Sequence, residues 1–61
     1  MNKRDAKVLA LLATGRTQEE IAKEMGVCRQ TVYSWVTLIK SRFGARTVAH
    51  LVYLALKAGV L

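Results

Sequence analysis

Residues 17–42, TQEEIAKEMGVCRQTVYSWVTLIKSR, decide the fold, because they read as two helices joined by a tight turn. Thr17 followed three residues on by Glu20 is a capping-box signature: hydroxyl and carboxylate each satisfy an amide left unpaired at a helix start. Ile21, Ala22 and Met25 then share one face. Gly26 falls where the first of the two helices should stop, since a residue without Cβ takes the left-handed cap conformation cheaply. Val27 and Cys28 fill the turn, where a small, half-buried residue is all that position 28 requires. From Arg29 onward Val32, Val36, Ile39 and Phe43 recur at helical spacing, so one stripe of the second helix faces a core. The opposite face carries Gln30, Tyr33, Ser34, Thr37, Lys40 and Ser41, and no carboxylate.

Upstream, Asn2 can cap a first helix whose buried stripe is Val8, Leu9 and Leu12 and whose end is Gly15. Asp5 lies at the edge of that stripe, so partial burial and a basic or backbone partner are expected for it. Downstream, Gly44 supplies the next stop and Thr47 a cap for a last helix over 48–58, closed by Gly59. On this helix Val48, Leu51, Val52, Ala55 and Leu56 are expected in the core. The other face holds His50, Tyr53, Leu54 and Lys57, spaced i, i+3, i+4 and i+7. Adjacent Tyr and Leu on an outer face suit self-association better than water. No Pro and no period-2 alternation occur, so the chain is expected to be all-α, with four helices in one domain over 1–61.

A chain of 61 residues buries only ~60% of the surface its unfolded form exposes, so a partner subunit is a natural source of further stability. One cysteine and one histidine cannot form a structural zinc site or a disulfide framework, and no metal or cofactor is expected. No nucleophile–base pair, phosphate loop or carboxylate pair is present, so enzymatic chemistry is not expected. No apolar run approaches the ~20 residues of a membrane span, and a cytoplasmic location follows as the expectation. The formal charge is +6, and its distribution says more than its size. Asp5, Glu19, Glu20 and Glu24 all precede residue 25, whereas Arg29, Lys40, Arg42, Arg46 and Lys57 follow without an acid among them. Uncompensated basic charge around a helix with a donor-rich face is an electrostatic footprint for phosphate. Together with the helix–glycine turn–helix pattern, it points to a helix-turn-helix that lays its second helix in the major groove of double-stranded DNA.

The series VLALLATGRTQEEIAKEMGV, TVYSWV, KSRFGA and LVYLALKAGVL resembles the LuxR/GerE-type helix-turn-helix domain at unchanged spacing over essentially the whole chain. The resemblance implies that the helix over about 29–43 enters the major groove and that the last helix makes a two-fold homodimer through His50, Tyr53, Leu54 and Lys57. By position it also implies base-edge contacts from Tyr33, Ser34 and Thr37, joined by Arg29 and Gln30 on the same helix. Phosphate contacts are implied for Gln18, Thr31, Trp35 and Arg42, and the basic charges of Lys40 and Arg46 extend that set. Tyr33 and Thr37 stand where relatives often have Lys, Glu19 replaces a frequent basic residue, and Cys28 takes the usual Ser cap position; the preferred sequence should differ accordingly. With Met1 almost on the first cap, a stand-alone transcription regulator of bacterial or phage type, without a sensor domain, is the expectation. The alternative is a small interaction protein whose basic helix docks on RNA polymerase or another regulator.

Overall fold

Side-chain caps start three of the four helices of the computed structural model, which describes residues 1–61, and glycine turns end them. Asn2 accepts from the Asp5 amide at 2.7 Å and opens α1 (Lys3–Ala13). Thr17 and Glu20 form both halves of the capping box that opens α2 (Gln18–Met25). Cys28 precedes α3 (Arg29–Phe43) without a side-chain cap, and Thr47 accepts from the His50 amide at the start of α4 (Val48–Lys57). Gly26 (φ 70°) and Gly44 (φ 69°) adopt the left-handed conformation. This lets Val27 N–H reach the Ala22 carbonyl and Ala45 N–H the Lys40 carbonyl, the Schellman closure. The chain thus turns sharply twice, into and out of α3.

The fold is all-α, with no strand. No helix is long and apolar enough to cross a membrane. Ten apolar side chains make the core: Val8, Leu9 and Leu12 of α1, Ile21 and Ala22 of α2, Val32, Val36 and Ile39 of α3, and Leu51 and Ala55 of α4. Every helix contributes, so α3 is backed by the other three along one stripe and open along the rest.

Three expectations require correction. Leu56 is 57% exposed and does not belong to the core. On a helix of ten residues the buried arc follows Leu51 and Ala55, and at 100° per residue Leu56 lies beside Tyr53 rather than beside Leu51. The last helix ends at Lys57, with Ala58 as its cap. Cys28 is exposed rather than half-buried, because Val27 alone turns inward to cover the core.

The capping box carries a pH dependence. Hydrogen bonds from the backbone and then the side chain of Thr17 hold the Glu20 carboxyl below its ordinary value. A depressed folded-state pKa contributes stability that is fully present above the unfolded value and is lost as pH falls through the folded one. Thermal melting between neutral pH and about pH 3 should therefore show a steeper acid loss for the wild type than for Glu20→Gln. Parallel curves would show that the carboxylate does not contribute as an anion.

Candidate nucleic-acid interface

Helix α3 buries Val32, Val36 and Ile39 and leaves Arg29, Gln30, Tyr33, Ser34, Thr37, Ser41 and Arg42 exposed. Gln30, Ser34, Thr37 and Ser41 lie opposite the buried stripe, where one groove wall could meet all of them. Tyr33 flanks them, and the Arg29 guanidinium lies over its ring at 5.6 Å, a contact that restrains both long side chains. Leu38 was not anticipated by the sequence pattern: it falls outside the Val32/Val36/Ile39 period and stands 55% exposed on this helix. An apolar side chain amid hydroxyls and amides can contact a thymine methyl group or a sugar face.

The residues implied for phosphate are placed less uniformly. Gln18 and Thr31 are half-buried at the starts of α2 and α3. The Thr31 hydroxyl sits 3.0 Å from the Cys28 sulfur, and hydrogen bonding by the Thr31 side chain and then its backbone holds the thiol below its ordinary value. Lys40 is half-buried, so its stem packs along the fold while Arg46 stands free in solvent. Trp35 is also half-buried, with the Arg4 guanidinium over its ring at 4.7 Å. Arg42 is 61% exposed yet donates from Nη1 to Asp5 Oδ2 at 3.1 Å. Asp5, buried to 2% exposure, thus ties α1 to the end of α3. No other acid lies near that end of the sequence, since Glu19, Glu20 and Glu24 all belong to α2.

On α4 the four residues implied for pairing do not form one uniform surface. Tyr53 and Lys57 are exposed, with the ammonium over the ring at 5.7 Å. Leu54 is half-buried and lines a shallow apolar groove with Phe43, Lys57 and Ala58. His50 is half-buried because its Nδ1 accepts the Arg46 amide at 3.1 Å, while its own amide donates to Thr47. The imidazole therefore closes the start of α4 on the amide before the cap residue, one position upstream of the amide that Glu20 takes on α2. Leu56, beside Tyr53, supplies the exposed apolar area that sequence reading assigned to the core.

Residues 6–42 match the family described as winged helix-turn helix, a span that takes in α1 from Ala6, all of α2, and α3 up to Arg42. The chain belongs to that family. In this winged helix-turn-helix member the chain after α3 continues into a fourth helix, and no β wing occurs within residues 1–61. The chain is similar over its full length to a transcriptional activator protein, ExaE, of Pseudomonas putida, at 34% identity. It is likewise similar to the HTH-type transcriptional activator RamA of Corynebacterium glutamicum, at 36% identity. It spans 28% and 22% of those two proteins. Among solved structures it resembles the VqmA chain of a Vibrio cholera VqmA–ligand–DNA complex, with TM-score 0.90 and 35% identity, over 98% of this chain and 26% of that one.

Proposed function

We propose that this winged helix-turn-helix chain is the sequence-specific, double-stranded DNA-binding part of a transcription regulator of the LuxR/GerE type. In this reading α3 lies in the major groove and α4 pairs two copies. The observation that carries the proposal is the outer face of α3, which is exposed, rich in hydrogen-bond donors and free of carboxylate along its whole length. Arg29, Gln30, Tyr33, Ser34 and Thr37 read base edges, and Leu38 adds an apolar contact. Gln18, Thr31, Trp35, Lys40, Arg42 and Arg46 border this face and hold the backbone. A likeness at 35% identity to a protein solved with DNA supports the reading, as do two relatives named as transcriptional activators.

Selection of bound sequences from a random duplex pool tests it. A half-site consensus should emerge, and Tyr33→Ala or Thr37→Ala should alter the preferred bases, at roughly 1–3 kcal/mol per good contact. A consensus unchanged in both variants would remove α3 as the reading element. Failure to enrich any duplex, combined with salt-independent capture of RNA polymerase, would replace DNA by a protein partner.

A further inference from the structure

The cluster where α1 meets the end of α3 has more cation than its internal structure uses. The Asp5 carboxylate is buried, and each of its oxygens faces an arginine: Oδ1 faces Arg4 Nε at 3.2 Å and Nη2 at 3.2 Å, and Oδ2 faces Arg42 Nη1 at 3.1 Å. One anion is thus shared by two guanidinium groups, whose side chains remain 43% and 61% exposed. A guanidinium has five N–H donors. Asp5 engages two nitrogens of Arg4 and one of Arg42, so donors of both remain for a ligand. Arg4 is further restrained by lying over the half-buried Trp35 ring at 4.7 Å. The second anion that this arrangement can accept must approach from solvent, beside the outer face of α3.

We propose that Arg4 and Arg42 form a two-arginine clamp for a backbone phosphate of double-stranded DNA, and that Asp5 is the positioning residue that sets the two guanidinium groups side by side. The inference rests on the DNA reading of α3, and it adds α1 to the contact surface. Buried Asp5 acts like the rigid support behind a binding group, while the planar forks of the arginines match phosphate oxygens. Trp35 contributes the flat wall that keeps Arg4 from swinging away.

The test compares wild type, Arg4→Gln, Arg4→Lys and Asp5→Asn on a selected duplex across a range of salt, with thermal melting of each protein alongside. Arg4→Gln should weaken binding about tenfold, the loss that goes with one charge-assisted hydrogen bond. It should also lower the salt slope by up to about 0.9. Arg4→Lys keeps the charge but neither the fork nor the stack, so it should retain the slope and lose affinity.

Asp5→Asn gives opposite signs for the two accounts of this carboxylate. If Asp5 only subtracts charge, its neutralisation tightens DNA binding; if it positions the arginines, binding weakens although the net charge has risen. Weaker binding by a variant whose melting shows it folded at the assay temperature supports the clamp. Tighter binding overturns the role of Asp5, and an Arg4→Gln variant with unchanged affinity and slope overturns the clamp itself. Absence of DNA binding by the wild type would instead overturn the reading of α3, a result distinguishable from either.

Discussion

Raising salt from about 50 to 200 mM should reduce DNA affinity by roughly 40-fold if Lys40, Arg42 and Arg46 each neutralise one phosphate. Each neutralised phosphate releases condensed counterions, so log K falls by about 0.9 per contact for every tenfold rise in salt. Three contacts give a slope of about 2.7. No acid follows residue 24, and Asp5 at the far end of the sequence is the acid that reaches this set, through Arg42. Arg46 gives the cleanest single test, because its side chain is exposed and only its backbone amide serves the fold. Arg46→Ala should lower the slope by about 0.9 while leaving thermal melting essentially unchanged. Arg42→Ala should weaken all duplexes as well, but it also removes one of two partners from buried Asp5, so its effect joins binding to stability. Affinity that stayed constant from low to physiological salt would contradict the phosphate contacts and the DNA reading with them.

The helix boundaries are legible in the sequence because caps are local. Thr17 and Glu20, Gly26, Gly44 and Thr47 each act within a few residues of themselves, and the structure realises each of those roles. The stripe of α3 is legible for a related reason: over fifteen residues a period near 3.6 has several turns in which to declare itself. On α4 the same reasoning has fewer than three turns, and a continuous run of apolar side chains leaves the buried arc ambiguous. There Leu56 is exposed rather than in the core, and Leu54 is half-buried. The contacts that join distant residues were beyond periodicity altogether. Asp5 could be expected to have a basic partner, but nothing in spacing selects Arg42, thirty-seven positions away, or sets Arg4 over Trp35. His50 escaped as a cap because imidazole at the third helical position is not the Glu or Gln that signals a capping box. Leu38 is not legible because a single apolar residue outside the Val32/Val36/Ile39 period carries no periodicity of its own.

The largest single-residue effect on DNA binding should come from a side chain that touches no DNA. Tyr53 and Leu56 are 56% and 57% exposed and adjacent on α4, beside Lys57. A patch of that size is too small to hold two subunits firmly. In a two-fold pairing it meets itself, which doubles the apolar area covered and sets two copies of α3 a constant distance apart. Half-sites about 10 base pairs apart would follow, one turn of the duplex. Free dimerisation should then be weak, and binding of one subunit should supply a high effective concentration of the second on the adjoining half-site. Leu56→Glu places a carboxylate near its own copy at the two-fold, and the exposure of Leu56 means that the fold of each subunit is spared. Leu54→Glu is a poorer probe of pairing, because half-buried Leu54 also packs the groove beside Phe43. Leu56→Glu should bind an isolated half-site like the wild type and lose tight binding to the full palindrome, by a factor on the order of the effective-concentration gain, about 10²–10⁴. Sedimentation of both proteins with full-site and half-site duplexes reads affinity and stoichiometry together. Two subunits of Leu56→Glu on the full site at wild-type affinity would show that this part of α4 is not the pairing surface, and Leu54→Glu, His50→Ala and Lys57→Glu would then separate the remaining flank of the same helix from pairing elsewhere.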